Sequence, residues 1–506
     1  AVPSQAIELS LGGFPSFLRT RARYINGATY VNALSDTQAR SLGLESSDDD
    51  IFFVDSTLRL TPQLVLSDAV TIRGQIDVLR NNVWGGIGTG VFGAGNGAGN
   101  GCIVGACTAD DSFRGAILLG EKTFDLGSNN NNFFNVRMLH ADIVLPHNLG
   151  FVRVGRQPFD WGTGLWANGG WDPASDLGFL PERFLWLKSF PIGNASLTQV
   201  FVSDIVSNNN FLFNGGGDIT QGNFGKTFDI IAGATIFNST FAGVNTTIGG
   251  FYFPFVQQAN VADRLGLYSG LIDLKTDLWR FVYEVDFQEG ELSSSLGLPA
   301  GEDDIDFQFE MLGRFELYPS WPVKIIAVEG GWSQGDDSNE PGVQGNLVPF
   351  SPAYNIDNLL FKHIIPTLYN NEGSVQNAFY ARAWTIVKLL DHLSWTPHVL
   401  IAWTHETDTN GGFNGTPLPN GTAGSAIVYN DLDRFLGVEV ENTVTWTIYP
   451  GVNLDVIGSF VIAGSGLNDL QEQAAATAVG DDVGSATDVP WAVQTRLTIF
   501  IDQFLK

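Results

Sequence analysis

The sequence has little of what marks soluble proteins or helical membrane proteins. Charged residues make up only 16% of its 506 positions, whereas an ordinary globular chain carries roughly a quarter. It contains no run of about eighteen or more apolar residues, which argues against membrane-spanning helices. Basic residues number 26 against 54 acidic ones, and the formal charge is −28. A chain this acidic repels phosphate, so nucleic acid is not an expected partner.

Cysteine and histidine are also scarce. The only two cysteines, Cys102 and Cys107, lie in the glycine-rich stretch GAGNGAGNGCIVGAC. Since no histidine or further cysteine lies nearby to complete a tetrahedral metal site, we expect a local disulfide in an oxidising compartment. HExxH and Walker motifs are absent from the sequence. We therefore predict no enzyme, no cofactor and no metal site.

One pair of carboxylates has a spacing that catalysis could use. Glu439 and Glu441 are two positions apart, and same-face neighbours on a strand lie roughly 6.5–7 Å from one another. Glycoside hydrolysis uses carboxyl groups at such separations. Hydrated wall residues of a channel have the same spacing, and we favour that interpretation.

Regular alternation of apolar and charged residues is what the sequence has in abundance. In Asp304–Tyr318, which reads DIDFQFEMLGRFELY, apolar residues occupy one parity and Asp, Gln, Glu and Arg the other. Side chains alternate faces along a strand, so this stretch predicts a strand with one apolar and one hydrated face. The pattern recurs in FLRTRARY near the beginning and in WRFVYEVDFQ near the middle. Such recurrence is typical of a membrane β-barrel with a wet interior.

The 59 glycines and the polar stretches divide the chain into hairpins. Short turns alternate with long loops, the asymmetry of outer-membrane barrels, whose turns are periplasmic and whose loops are extracellular. We count about sixteen to eighteen spans, of which single-chain bacterial barrels require an even number, and we predict eighteen. The predicted fold is all-β: a single transmembrane antiparallel β-barrel domain over residues 1–506.

One segment resembles a known family. It reads RVGRQPFDWGTGLWANGGWDP, with a glycine-arginine-glutamine at a strand end followed by a glycine- and aromatic-rich loop. This arrangement resembles large bacterial outer-membrane porins, particularly alginate-export-type barrels. The arginine-rich first strand resembles them too. The resemblance implies that Arg156 faces the pore and that the loop from Trp161 to Trp171 folds inward as a constriction. The alternative is a loop packed against the barrel rim.

Aromatic residues cluster at Phe251, Tyr252, Phe253 and Phe255. Such a cluster is typical of the aromatic girdle at a membrane interface. A soluble hydrophobic core is the competing interpretation.

The charged parity of the strands gives a set of candidate pore-lining residues. They are Arg19, Arg21, Arg23, Arg73, Asp77, Arg156, Arg280, Glu284, Asp286, Glu310, Arg314, Glu316, Arg382, Glu439, Glu441 and Arg496. Opposed arginines and carboxylates create a field across a pore that favours compact charged or dipolar solutes. We expect a channel for small polar or anionic solutes, although the acidic loops favour cations at the mouths.

Two other functions stay open. The barrel could be a structural sleeve that anchors a surface or electron-transfer partner, or the chain could be a soluble all-β carbohydrate-active protein. Expected partners of the channel are outer-membrane lipid, lipopolysaccharide and the solute itself. A homotrimer and a surface or periplasmic protein partner are further alternatives.

Overall fold

A computed structural model gives the architecture of most of the chain. It describes residues 8–11, 14–26, 51–83, 134–175, 178–206, 228–257, 264–291, 304–335, 350–351, 353–365, 375–410, 428–479 and 489–504. Cys102 and Cys107 lie outside these residues.

Strands dominate the described residues. The first half contains β1 (Glu8–Leu11), β2 (Phe17–Asn26), β3 (Ile51–Leu60), β4 (Pro62–Ser67), β5 (Val70–Val83), β6 (Phe134–Val144), β7 (Phe151–Arg156), β8 (Glu182–Ile192), β9 (Ala195–Val206), β10 (Phe228–Phe241) and β11 (Val244–Gln257). The second half contains β12 (Arg264–Lys275), β13 (Trp279–Glu291), β14 (Asp304–Leu317), β15 (Val323–Ser333), β16 (Ala378–Leu390), β17 (Leu393–Thr404), β18 (Thr409–Asn410), β19 (Val428–Tyr429), β20 (Phe435–Tyr449), β21 (Val452–Ala463) and β22 (Trp491–Phe500). The helix α1 spans Ser465–Val479, and a short π-helical turn spans Leu360–Ile364.

The sheet closes on itself. Each wall strand pairs antiparallel with the next, and β22 returns to β2 in a register that sets Arg496 beside Arg21. The strands β3 and β4 are separated only by Thr61, and both pair antiparallel with β5. They therefore count as one strand of the wall. The short β1 pairs with β4, while β18 and β19 form a separate ribbon. The closed wall has 18 strands, which confirms the predicted fold and strand number.

Short turns lie at one end of the barrel. Two-residue turns join β4 to β5, β8 to β9, β10 to β11, β16 to β17 and β20 to β21. Gly243 and Gly451 take left-handed backbone conformations in two of these turns, with φ of 80° and 87°, where a side chain would be strained. At the other end, connections such as the one from β5 to β6 are far longer.

The two faces of the wall differ as the sequence predicts. On β15, Ile326 and Val328 are 43% and 52% exposed on the outer surface, whereas Ala327 and Glu329, on the other parity, are buried inside. Large apolar side chains recur outward on the other wall strands, among them Phe281 and Phe315. An apolar outer belt around a charged interior is the arrangement that lets a barrel stand in a lipid bilayer.

A register shift changes the parity of one strand. Where β5 pairs with β6, Gln75 lies opposite Met138 and the next residue, Ile76, lies opposite Val136. The extra residue is Arg137, and it is buried together with its neighbour Met138. A bulge of this kind places two consecutive side chains on one face, which strict alternation does not foresee.

Two connections at the long-loop end enter the interior. The first inner segment is residues 157–175, between β7 and β8; the second inner segment is residues 353–365, between β15 and β16. An apolar cluster joins them with α1 and with inward side chains of the wall, and it includes Leu165, Leu312, Leu360, Leu436 and Leu467. No helix in the described part of the chain is long and apolar enough to cross a membrane.

Candidate functional site

Three arginines follow one another on the inner face of β2. Arg21 donates from Nε and Nη2 to the carboxylate of Asp55 at 3.0 and 2.8 Å. Arg19 and Arg23 lie within 3.8 and 4.0 Å of the same carboxylate. Because inward and outward positions alternate along a strand, all three arginines of FLRTRARY reach this one aspartate on β3.

More ion pairs extend this surface toward β9. They are Arg59 with Asp77 (2.7 Å), Arg137 with Asp77 (3.7 Å), Arg73 and Arg153 with Asp142 (3.0 and 2.6 Å), and Arg183 with Asp204 (2.6 Å). The described inner face of β2–β9 thus presents eight arginines and four aspartates. We call it the basic wall.

The opposite side of the barrel carries an excess of carboxylates. Asp286 on β13 lies directly opposite Glu310 on β14, and Glu284 is the next inward residue of β13. All three are fully buried. The described inward carboxylates of β12–β20 are Asp273, Glu284, Asp286, Glu310, Glu316, Glu329, Glu439 and Glu441, and the inward arginines are Arg280, Arg314 and Arg382. We call this face the acidic wall.

The first inner segment is fixed to the basic wall by main-chain carbonyls. Arg19 donates from Nη1 to the carbonyl of Pro173 at 2.7 Å, and Arg59 donates to the carbonyl of Gly170 at 3.1 Å. The ring of Trp171 stacks on Phe14 with centroids 3.9 Å apart. These arginines therefore hold the segment as well as contributing charge.

The same segment also reaches the acidic wall. Trp161 donates from Nε1 to the hydroxyl of Ser269 on β12 at 2.7 Å. Thr163 donates to Glu284 from its main-chain N–H at 2.5 Å and from its hydroxyl at 2.7 Å. Since β2 and β12 are half a ring apart, the segment crosses the interior, as the resemblance implied for Trp161–Trp171.

Aromatic rings support the crossing segment. Trp166 is buried against Phe251 and Phe253, with ring centroids 5.5 and 5.3 Å away. Phe159 stacks on Phe253, and the guanidinium of Arg183 lies 4.1 Å from its ring centroid. Phe251 and Phe253 therefore face inward, and only Tyr252 of the three points outward. The interpretation of this cluster as an interfacial girdle was wrong, because successive residues of one strand lie on opposite faces.

The second inner segment lies beside the first. The N–H of Ser351, just before it, donates to the carbonyl of Leu165 at 2.6 Å. Asp357 accepts hydrogen bonds from the N–H groups of Phe361 and Lys362 at 2.7 and 3.2 Å. Burial raises the pKa of Asp357 to about 6, although the Phe361 hydrogen bond opposes the shift.

Most candidate residues from the sequence lie on the inner face. They are Arg19, Arg21, Arg23, Arg73, Asp77, Arg280, Glu284, Asp286, Glu310, Arg314, Glu316, Arg382, Glu439, Glu441 and Arg496. The structure brings Arg314 to Glu316 (3.2 Å) on the same strand. It also brings Arg496 to Asp455 (2.9 Å) across two strands.

Arg156 is the exception. Its side chain is 46% exposed and pairs with Glu182 at 2.7 Å. It shares its parity with Val154 and lies opposite Leu139, two residues of the outer surface that are 44% and 55% exposed. The expectation that Arg156 faces the pore was therefore wrong. The inward position on β7 belongs to Arg153.

Several inward charges were missed from the sequence. They are Asp55, Arg59, Arg137, Asp142, Arg153, Arg183, Asp204, Asp273, Glu329 and Asp455. Alternation in FVDSTLRL could have found Asp55 and Arg59, which share one parity. Arg137 gives no such signal, because it lies at the bulge. Among the described residues, no three His, Cys, Asp or Glu side chains are arranged to hold a metal ion.

No protein-family model and no curated protein matches the sequence. Several solved structures do. Pseudomonas aeruginosa OccK5 (OpdH) is 10% identical, with 96% of this chain and 99% of that chain covered and a TM-score of 0.42. Pseudomonas aeruginosa OpdK with vanillate is 10% identical, with 96% and 99% covered and a TM-score of 0.45.

Acinetobacter baumannii OccAB1 is 12% identical, with 97% and 98% covered and a TM-score of 0.42. These are distant likenesses of overall architecture. They do not support the finer resemblance to alginate-export-type barrels.

Proposed function

We propose that this chain is a channel of the bacterial outer membrane that passes small polar, mainly anionic solutes. One observation carries the proposal: a closed wall separates an apolar outer belt from an interior whose opposite sides bear opposite excess charge. A barrel of this strand number is too wide for wall side chains alone to fill. The inner segments then narrow the path between the two walls.

The charge arrangement favours small charged solutes over large neutral ones. A field directed from the basic to the acidic wall orients water and dipolar solutes in a low-dielectric constriction. An anion lowers its energy along the basic wall, while the paired aspartates keep it from binding too tightly. Asp55, shared by Arg19, Arg21 and Arg23, is the clearest example of such moderation.

The basic wall continues toward the short-turn end. Arg73 and Arg153 share Asp142 there, and their side chains are 25% and 22% exposed. Two guanidinium groups on one carboxylate leave a local positive excess that is partly open to water. This excess supports passage of anions toward the end of the barrel that we assign to the periplasm.

Reconstitution in a planar bilayer tests the proposal. We expect discrete conductance steps, and in a potassium chloride gradient a reversal potential of the sign that reports chloride preference. The double variant Arg73→Gln, Arg153→Gln should move the reversal potential toward cation preference. Arg156→Gln, which removes an outward arginine from the same strand, is the matched control and should leave it unchanged. A barrel that inserts without conducting contradicts the proposal.

The structural-sleeve alternative receives less support from the geometry. A sleeve needs an interior that a partner can enter, whereas the two inner segments and α1 form a buried apolar cluster there. Membership of the alginate-export type and assembly as a trimer stay predictions. Uptake assays with uronate oligomers test the first, and the mass of the detergent-extracted particle tests the second.

A further inference from the structure

Two of the inward charges of the acidic wall contact the main chain of the second inner segment. Arg382 on β16 donates from Nη1 to the carbonyls of Asn355 and Ile356 at 3.3 and 2.9 Å. Glu439 on β20 accepts the N–H of Asn358 at 3.1 Å and the N–H of Leu360 at 2.7 Å. Arg382 thus binds carbonyl groups, and Glu439 binds N–H groups, of the same short stretch of backbone.

Arg382 is itself held in one orientation. Its Nε and Nη2 donate to the two carboxylate oxygens of Glu329 at 2.7 and 3.0 Å. Tyr354 and Tyr380 donate their hydroxyls to the same carboxylate at 2.8 and 2.7 Å. A two-pronged ion pair fixes the guanidinium plane, so Nη1 points at the segment.

Glu439 has a comparable setting. It is fully buried, and both of its oxygens are used by the segment. The amide of Asn358 continues the contact to the hydroxyl of Ser459 on β21 at 3.2 Å. The neighbouring N–H groups of Phe361 and Lys362 are satisfied within the segment by Asp357. An irregular stretch of main chain inside a barrel needs such partners, because unsatisfied buried N–H and C=O groups are costly.

We infer that Arg382 and Glu439 are positioning residues that fix the second inner segment, and thereby set the width of the solute path, rather than solute-binding residues. The inference rests on the proposed function for its effect on the path, but the anchoring itself does not. Both oxygens of the Glu439 carboxylate accept N–H groups of the segment. The charges that face the solute are then the less buried ones, such as Glu441 and Arg314.

Hydrogen exchange by mass spectrometry on the full chain in detergent measures the anchoring directly. Glu439→Gln replaces one acceptor oxygen by an NH2 group that cannot accept from an N–H. We expect amide exchange across residues 353–365 to become roughly tenfold faster or more, since hydrogen bonds to a charged group are the stronger class. Arg382→Lys, which keeps the charge but loses the fork, should act in the same direction.

Matched controls lie on the same strands and walls. Glu441→Gln changes the next inward carboxylate of β20, which accepts a hydrogen bond from the hydroxyl of Thr443 at 3.0 Å and lies 3.9 Å from His398. Arg314→Lys changes the other arginine near Glu329, 3.8 Å from it. Neither control removes a hydrogen bond to the segment, so each should change exchange in residues 353–365 far less than Glu439→Gln does. Unchanged exchange with Glu439→Gln and Arg382→Lys, or equal acceleration with the controls, would overturn the inference.

Conductance supplies the second measurement. A freed segment should give larger and noisier conductance with Glu439→Gln but an unchanged reversal potential, whereas loss of a solute-binding charge shifts the reversal potential at constant conductance. If Glu439→Gln does not fold, Ser459→Ala is the milder variant and should accelerate exchange at Asn358 alone. A barrel that conducts in no variant refutes the channel, yet the exchange comparison still decides the anchoring.

Discussion

The carboxylate of Glu284 lies against the turn of the first inner segment and accepts both the N–H and the hydroxyl of Thr163. Gly162, just before, has φ of 54°, and a Cβ built there would lie 2.3 Å from the nearer carboxylate oxygen. The segment can approach the acidic wall this closely only because residue 162 has no side chain. This contact completes the crossing of the interior from β2 to β13.

Gly162→Ala should therefore displace the first inner segment from the acidic wall. We expect a larger conductance, because the crossing segment no longer reaches Glu284. Gly193→Ala is the matched control, since Gly193 has a similar φ of 58° but nothing lies within 4 Å of the added Cβ. Both variants carry backbone strain of about 1 kcal/mol. Equal conductance in the two variants contradicts the prediction.

Asp55→Asn should strongly destabilise the barrel. The change leaves three buried arginines around a neutral amide, and breaking a buried ion pair from one side costs roughly 3–5 kcal/mol. Urea unfolding in detergent, followed by the shift in electrophoretic mobility, measures the loss. Glu182→Gln removes the partner of Arg156 in an exposed pair and should cost about 0–1 kcal/mol. A similar cost for both would refute the role given to Asp55.

Val328→Arg tests the assignment of the outer belt. Val328 lies outward near the middle of β15, where an arginine would meet hydrocarbon and cost about 2–4 kcal/mol. Tyr449→Arg places the same side chain at the end of β20, next to a turn, where the cost falls to about 0–1 kcal/mol. Folding yields in lipid vesicles compare the two variants. Equal yields would mean that the outer surface does not face lipid at these depths.

Asp357 should make docking of the second inner segment depend on pH. The docked carboxyl has a pKa of about 6, raised by burial, so it holds its proton more tightly than an exposed aspartate with a pKa near 3.9. Its contribution favours docking fully below pH of about 4 and is lost as the pH rises through 6. A shift of this size corresponds to something on the order of 3 kcal/mol.

Conductance recorded from pH 4 to pH 8 measures this dependence. We expect larger and noisier steps above pH 6, and Asp357→Asn should remove the step centred near that pH. His398 and Glu441 also act on the Asp357 carboxyl, so variants at those two positions should move the midpoint rather than abolish it. A profile that is identical in the chain with and without Asp357 contradicts the assignment.

Particular strands show how far the sequence could lead. On β13 and β14 the strict alternation placed Glu284, Asp286 and Glu310 inside without any structural knowledge. On β7 alternation places Arg156 outward with Val154, whereas the resemblance to porins implied an inward position. On β6 the bulge at Arg137 makes alternation itself fail. Sequence and structure therefore disagree at two kinds of position: at a bulge, where an extra residue interrupts the period of two, and at a residue placed by a resemblance instead of by alternation.

The sequence by itself determined the wall: alternation with a period of two fixes which side chains meet lipid and which meet water, and short turns fix the neighbours. Only the tertiary structure decided what fills the interior. The inner segments have no period, and their positions depend on partners that are distant along the chain, such as Thr163 with Glu284 and Leu360 with Glu439. Long-range pairings of this kind are set by strand register and closure of the whole ring, which no local pattern records.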